Sequence, residues 1–186
     1  MNKMPEVTDA TRKTFIEAFC DLYKEKPIEK ISVKEVILRA GYSRATFYNY
    51  FRDMYDLREH AEDVFIDSIM ARVLENIRAG RQMEDFVGTF MEILEEESFF
   101  INVFIGSANN SRFIEKIYNK AAPALIDAFN VKNGNLTATY SLKFYISGLI
   151  PTIGMWLRNK TITEQDFALL IKGILRDGFI KQLNLI

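Results

Sequence analysis

The residues best suited to recognising another molecule lie in the segment 43–52, which reads SRATFYNYFR. It supplies hydroxyl, amide and guanidinium groups but no carboxylate. No Asp or Glu occurs between Glu35 and Asp53, although the whole chain has 25 acidic and 24 basic residues. Phosphates repel carboxylates and attract arginine, while Thr, Tyr and Asn side chains bond to phosphates or base edges. The chemistry that this segment predicts is non-covalent recognition of a nucleic acid.

Two short helices joined by a tight turn are predicted to hold this segment. Ser32 and Glu35 have the spacing of a capping box, which indicates the start of a helix. Gly41 lies where that helix must end, at a position that favours a positive φ. Ser43 can cap a second helix. The sequence therefore predicts a helix-turn-helix whose recognition helix covers about 43–50.

One side of the predicted recognition helix is apolar and the other is polar. Phe47 and Phe51, four residues apart, supply the side that we expect to be buried. A neutral face can also occur on any short helical hairpin, but the turn glycine and the two caps favour DNA binding. The predicted DNA-contacting residues are Ser32, Lys34, Ser43, Arg44, Ala45, Thr46, Tyr48, Asn49, Tyr50 and Arg52.

A wider pattern of residues at fixed spacing extends over about residues 8–65. Its members are Thr11, Arg12, Phe15, Ala18, Leu22, Tyr23, Ala40, Gly41, Ser43, Thr46, Phe47, Tyr48, Phe51 and Leu57. This pattern resembles the N-terminal domain of the TetR family of bacterial transcriptional regulators. One departure is Met54, which stands where the family usually has a phosphate-contacting lysine. Arg52 or Arg58 can replace part of that contact.

Composition and periodicity predict an all-α protein. Nearly half of the 186 residues are apolar, only four are proline and nine are glycine, and apolar residues recur at helical spacing. We expect about nine helices, with the helix-turn-helix domain in residues 1–53 and an effector-binding and dimerisation domain in 54–186. The net charge of −1 means that DNA affinity must come from a local patch. The absence of a leader or a long apolar run predicts a cytoplasmic protein with no membrane contact.

The last two predicted helices carry more apolar surface than one chain of this size is expected to bury. Small and large residues alternate within Ser141–Trp156, which favours packing against a second subunit. The TetR resemblance likewise implies a homodimer formed by the last two long helices. The pattern from Phe144 and Tyr145 through Gly148 and Leu149 to Trp156 and Leu157 also resembles the subgroup related to regulators of dihydroxyacetone kinase operons. The predicted interface residues are Gly148, Leu149, Ile153, Ile171 and Leu175.

The C-terminal region is also rich in large aromatic residues. They predict a pocket for a small organic effector, uncharged or weakly polar, whose binding is relayed to the DNA by the long helix at about 54–78. A filled aromatic core is the alternative interpretation of the same residues. The predicted effector-binding residues are Phe65, Ile69, Phe90, Phe104, Tyr118, Tyr140, Phe144 and Trp156.

Catalytic chemistry finds little support in the sequence. The single histidine and single cysteine are far apart, and no glycine-rich phosphate loop or metal-ligand spacing is present. We therefore predict no enzyme activity, cofactor or metal. The resulting hypothesis is a homodimeric repressor that a small organic effector releases from a palindromic operator in double-stranded DNA. The alternative is a dimeric DNA-binding protein without such an effector, controlled by a protein partner. A helical interaction module with no DNA role would not explain the acid-free face.

Overall fold

The computed structural model describes residues 5–80, 92–93, 101, 103–105, 111–132 and 134–175. Within these residues the chain forms seven α-helices, one short 3-10 helix at Ile28–Lys30 and no strand. The all-α prediction is therefore confirmed for this part of the chain. The helices are α1 (Pro5–Glu25), α2 (Val33–Ala40), α3 (Arg44–Tyr48), α4 (Met54–Arg78), α5 (Ser111–Ala128), α6 (Leu136–Asn159) and α7 (Glu164–Ile174).

The number of helices differs from the prediction of about nine. The described residues contain seven, and each corresponds to a helix expected from the sequence. The other two were expected at about 86–94 and 99–107, which lie largely outside the described residues. None of the helices in the described part of the chain is long and apolar enough to cross a membrane.

The chain divides into two compact units, residues 1–65 and 66–186. The first unit takes in the beginning of α4, where Leu57, Ala61 and Phe65 are buried. The domain boundary expected between residues 53 and 54 stays a prediction. α4 continues without a break through the division at residues 65 and 66, so its residues belong to both units.

Local signals in the sequence explain the start and end of α2. The Ser32 hydroxyl accepts a hydrogen bond from the Glu35 backbone N–H at 3.3 Å, and the Glu35 carboxylate accepts one from the Ser32 N–H at 2.9 Å. This reciprocal pair is the predicted capping box. At the other end Gly41 has φ 72° and ψ 25°, the left-handed conformation that the turn requires.

Aromatic packing fixes α3 within the N-terminal unit. The Phe15 ring of α1 meets the Phe47 ring edge-on with centroids 5.6 Å apart, and the Phe51 ring at 5.9 Å. All three side chains are at most 1% exposed. Phe47 on α3 and Phe51, three residues after its end, are thus buried as predicted, which leaves the opposite side of α3 toward solvent. α3 ends at Tyr48, so the recognition helix is shorter than the predicted 43–50.

In the second unit, α5 packs along α6. Ala122 and Leu142 are buried between them, with Tyr118 and Tyr145 packed against the pair. Further along α6, the Trp156 ring stacks on the Phe167 ring of α7 with centroids 4.5 Å apart.

A close backbone approach explains one glycine of α6. An added Cβ at Gly154 would collide with the backbone oxygen of Ile105. This small residue is therefore required by packing inside one chain.

Candidate DNA-binding surface

The solvent-facing side of α3 and its C-cap residue Asn49 form a continuous stripe of four residues at helical spacing. Arg44, Ala45, Tyr48 and Asn49 are all exposed, while Phe47 between them is fully buried. The stripe offers a guanidinium, a methyl, a phenol and an amide group, and no carboxylate. These are groups that can bond to phosphates and to the edges of bases.

The two hydroxyls at the start of α3 bond to each other. Ser43 Oγ accepts a hydrogen bond from the Thr46 backbone N–H at 3.1 Å, which caps the helix. The Ser43 and Thr46 side-chain oxygens are 2.8 Å apart. Thr46 is also partly covered, so its hydroxyl faces the cap as much as the solvent.

Arg44 and Tyr48 form a pair on the exposed stripe. The Arg44 guanidinium carbon lies 5.5 Å from the centre of the Tyr48 ring. Arg44 Nη2 also donates a long hydrogen bond of 3.4 Å to the Tyr48 hydroxyl. A guanidinium placed over an aromatic ring is attracted by the ring quadrupole, which restricts the directions in which its remaining N–H groups point.

Arg52 follows α3 and projects into solvent from the turn before α4. Its side chain is 81% exposed, yet Nη2 donates a 3.0 Å hydrogen bond to Asp56 Oδ1. The Arg52 backbone N–H donates to Asp56 Oδ2 at 2.8 Å. These bonds from Arg52 hold the pKa of Asp56 below its usual value. The Asp56 carboxylate therefore orients a cation that remains open to solvent.

Met54 and Arg58 do not offer a comparable cation at the surface. Met54 is only 8% exposed. The Arg58 side chain is 17% exposed, donates to the buried Glu62 at 2.7 Å, and lies over the Tyr23 ring. Of the two arginines considered as replacements for a lysine at position 54, Arg52 is the one available for phosphate contact.

The remaining predicted DNA-contacting residues are placed differently from one another. Lys34 is exposed on the first turn of α2, whereas the Ser32 hydroxyl is engaged in the capping box. Tyr50 is partly covered, with its ring 6.3 Å from that of Phe15. Tyr42, in the turn before α3, was not singled out from the sequence. Its side chain is 38% exposed and its hydroxyl lies 3.5 Å from Thr11 Oγ1, which adds a phenol to this surface.

Both parts of the chain match known protein families. Residues 8–61 match the family described as bacterial regulatory proteins, tetR family, and residues 81–177 match the family described as transcriptional regulator C-terminal region. The second match alone covers more than half of the chain. The protein belongs to the TetR family of transcriptional regulators. The resemblance identified from the N-terminal residues is thereby confirmed.

Individual relatives of this TetR-family protein agree with the assignment. The uncharacterized HTH-type transcriptional regulator YvdT of Bacillus subtilis (strain 168) is 24% identical over 98 residues, which cover 53% of this chain. The match spans 48% of YvdT, about half of that relative's length. Because the two chains share only this part, the relative supports the class of protein and leaves its partners to be proposed.

Solved structures share the fold over nearly the whole chain. A TetR-family regulator from Streptomyces coelicolor has a TM-score of 0.62 at 18% identity, covering 94% of this chain and 83% of its own. The TetR-family repressor AlkX from Dietzia sp. strain DQ12-45-1b gives 0.60 at 15%, covering 90% and 97%. The dihydroxyacetone kinase operon activator DhaS, whose subgroup the C-terminal pattern resembles, gives 0.55 at 16%, covering 91% and 97%. At these identities the likeness shows the fold alone.

The residues predicted for a dimer interface lie on α6 and α7, except Leu175, which directly follows α7. Gly148 is exposed and Leu149 and Leu175 are partly covered, whereas Ile153 is 3% and Ile171 1% exposed within the single chain. A surface groove with a volume of about 210 Å³ brings together four of the five, with Phe144 beside them. Its lining residues are Phe144, Tyr145, Gly148, Leu149, Thr152, Ile171, Ile174 and Leu175.

The residues predicted for an effector pocket differ widely in exposure. Phe104 is buried against Phe113 with ring centroids 5.4 Å apart, and Trp156 stacks on Phe167. Tyr140 is 72% and Phe144 74% exposed. Phe65 is buried and Ile69 partly covered on α4, and Phe90 lies outside the described residues.

Tyr118 lines a separate cleft, which has a volume of about 670 Å³. The cleft lies along α5 and the loop after it, and its lining residues are Tyr118, Asn119, Ala122, Pro123, Ile126, Asp127, Asn130, Val131 and Lys132. Among the residues that the structure describes, no group of three or more His, Cys, Asp or Glu side chains is placed to hold a metal ion.

Proposed function

We propose that this TetR-family protein is a cytoplasmic homodimeric repressor that binds a pseudo-palindromic operator and is released from it by a small organic effector. The observation that carries the DNA-binding part is the exposed stripe of α3, formed by Arg44, Ala45, Tyr48 and Asn49. A capped helix of this composition fits the major groove, where side chains near the start of a recognition helix contact base edges.

Positively charged residues before and after the exposed stripe of α3 in the sequence support phosphate contacts. Arg52 is 81% exposed and oriented by Asp56, and Lys34 is exposed at the start of α2. Ser43, Tyr48 and Tyr50 can add hydroxyl contacts to phosphate. Phosphate contacts of this kind fix the position of the protein on the duplex and make its affinity depend on salt.

The partner proposed for α6 and α7 is a second copy of the chain. Five exposed residues follow one side of α6 at helical spacing: Tyr140, Phe144, Gly148, Pro151 and Met155. On α7, Leu169, Leu170 and Ile174 are 66%, 47% and 45% exposed. An apolar surface of this extent on two neighbouring helices is typical of a subunit interface.

Two-fold symmetry of the dimer has a consequence for the operator. Its half-sites must be inverted, with centres about 34–36 Å apart or a multiple of that distance, so that both copies of α3 dock on one side of B-DNA.

An effector site is supported by the cleft beside Tyr118. Its volume of about 670 Å³ is within the range of small-molecule sites. Tyr118 provides a ring with Lys143 Nζ 4.3 Å from its centre, and Asn119 and Asn130 provide amides that can orient a weakly polar ligand. An effector changes DNA affinity only if it binds one arrangement of the dimer better than the other. A preference of about 1–3 kcal/mol changes operator affinity roughly 5–150-fold.

The test is to incubate the purified protein with fragments of its own genome, sequence those it retains, and then screen cell extracts for release. The proposal predicts enrichment of a few fragments that share an inverted repeat, and release by a dialysable component. Release by a non-dialysable component alone would support the second candidate, a dimer controlled by a protein partner, and enrichment without release by any extract would contradict the effector. The high exposure of Tyr140 and Phe144, two of the aromatic residues predicted to line an effector pocket, favours that candidate. Enrichment of no sequence would contradict both.

A further inference from the structure

Arg44 differs from the other arginines of the N-terminal unit in its partners. Arg12, Arg39, Arg52 and Arg58 each lie within 4 Å of a carboxylate oxygen, at 3.9, 3.1, 3.0 and 2.7 Å respectively. Within the part of the chain that the structure describes, Arg44 has no acidic partner. Its charge is therefore not offset by a nearby carboxylate.

The contact with Tyr48 positions the Arg44 guanidinium. Arg44 Nη2 donates a hydrogen bond to the Tyr48 hydroxyl at 3.4 Å, and the guanidinium carbon lies over the Tyr48 ring. The other N–H groups of Arg44 remain available on the exposed side of α3. Because a side chain held by these contacts has fewer conformations than a free one, it loses less entropy when it forms a second set of hydrogen bonds.

The chemistry of an arginine fork selects one base. Guanine presents two neighbouring acceptors, O6 and N7, in the major groove, whereas adenine pairs an acceptor with an N6 donor and cytosine presents a donor. A guanidinium has only donors, so guanine alone satisfies two of them side by side. Arg44 is also the first residue of α3, and the start of a recognition helix is where base edges are contacted.

We infer that Arg44 reads a guanine in each half-site of the operator and that Tyr48 is its positioning residue. The inference rests on the proposed function, because it requires α3 to enter the major groove. Since the dimer is two-fold symmetric, the two guanines lie on opposite strands at symmetric positions.

The first experiment selects binding sequences from a random double-stranded DNA library with the full-length chain, and compares wild type with Arg44→Ala and Arg52→Ala. We expect the wild-type motif to contain one guanine per half-site that Arg44→Ala no longer requires. Other bases at that position should reduce wild-type affinity about 5–150-fold. Arg52→Ala is the matched control, an exposed arginine proposed to contact phosphate. It should lower affinity for all sequences alike and leave the guanine preference unchanged.

The second experiment uses only the wild-type protein, so that it does not depend on the folding of a variant. Replacing the guanine with 7-deazaguanine removes the N7 acceptor, and should reduce affinity roughly tenfold at that position and little at other guanines.

A third experiment tests the positioning role of Tyr48 by repeating the selection with Tyr48→Ala. This variant should weaken the guanine preference while leaving the rest of the motif intact, which a merely structural change would not do. An unchanged guanine preference in Tyr48→Ala would contradict the positioning role.

The outcomes separate this inference from the proposed function. A selected motif whose base preferences are all unchanged in Arg44→Ala, or an operator indifferent to 7-deazaguanine at every guanine, would overturn the role of Arg44 and leave the regulator intact. Selection of no motif by the wild-type chain would contradict the proposed function, and the inference with it.

Discussion

Arg58 Nε donates a 2.7 Å hydrogen bond to Glu62 Oε1, and the Glu62 side chain is entirely buried. The Arg58 guanidinium carbon lies 5.5 Å from the centre of the Tyr23 ring, so Arg58 connects α4 with α1. Burial raises the pKa of Tyr23, and the nearby Arg58 charge opposes that effect. A cation that serves this buried contact is not available to DNA.

Arg58→Ala should destabilise the protein by about 3–5 kcal/mol, because it removes the guanidinium that compensates a buried carboxylate. The matched control is Arg39→Ala. Arg39 pairs with Glu25 at 3.1 Å, but both side chains are well exposed, so its loss should change stability by about 0–1 kcal/mol. Urea unfolding of both variants measures the difference. Equal effects would show that the Arg58–Glu62 pair does not stabilise the N-terminal unit.

Glu35→Gln should alter the acid sensitivity of folding. The hydrogen bond from Lys26, followed by those from Ser32, lowers the pKa of Glu35 from 4.5 to about 2. Because the folded-state pKa is below the unfolded value, this contribution is present above about pH 4.5 and lost as pH falls toward 2.

The stability of wild type and Glu35→Gln should therefore converge over this range, as measured by unfolding at a series of pH values. Glu29→Gln, an exposed acid on the preceding 3-10 helix, is the control and should keep the wild-type profile. A constant difference between wild type and Glu35→Gln from pH 5 to 2 would contradict this assignment.

Gly154→Ala should destabilise the C-terminal unit by about 1–3 kcal/mol, because the new methyl group collides with the backbone oxygen of Ile105. Gly173→Ala on α7 is the control, since an added Cβ there meets nothing within 4 Å. It should be neutral or stabilising by up to about 1 kcal/mol through helix propensity. Thermal unfolding measures both, and a neutral Gly154→Ala would contradict the tight packing of α6 at this point.

Phe144→Glu should convert the proposed dimer into a folded monomer. The side chain is 74% exposed in the single chain, so a charge there leaves the fold intact but would be desolvated in an interface, at a cost of several kcal/mol. Leu38→Glu, at a residue 79% exposed on α2, is the control for adding a charge at an exposed apolar position. Sedimentation at micromolar concentration distinguishes the two. A monomeric wild-type protein, or an unchanged dimer in Phe144→Glu, would contradict this interface.

Local signals made the helix-turn-helix predictable from sequence. The capping box of Ser32 and Glu35, the left-handed Gly41 and the cap at Ser43 each depend on residues within three or four positions of one another. The acid-free composition of the segment is likewise visible without a structure. This is why the start of α3 and the burial of Phe47 were predicted correctly, whereas the helix ends at Tyr48 and not at about residue 50.

Features that depend on distant contacts could not be predicted in the same way. Gly154 lies within Ser141–Trp156, the segment predicted to pack against a second subunit. Its neighbour Ile105 lies 49 positions earlier and contacts it only after folding. Ile153 and Phe144 have similar hydrophobicity, yet one is 3% and the other 74% exposed. Periodicity indicates an apolar side of a helix, and only tertiary packing decides which part of it one chain covers.

Contact between the exposed side of α3 and DNA is tested by the substitution Ala45→Glu. Ala45 is exposed within the stripe, so glutamate should be tolerated by the fold while its carboxylate faces the phosphates. Ala71→Glu on α4 makes the same change at an exposed helical alanine elsewhere. The measurement is the affinity of wild type and both variants for retained genomic fragments at one moderate salt concentration. Ala45→Glu should bind at least about tenfold more weakly, and Ala71→Glu should bind like wild type. Wild-type affinity in Ala45→Glu would contradict contact between the exposed side of α3 and DNA.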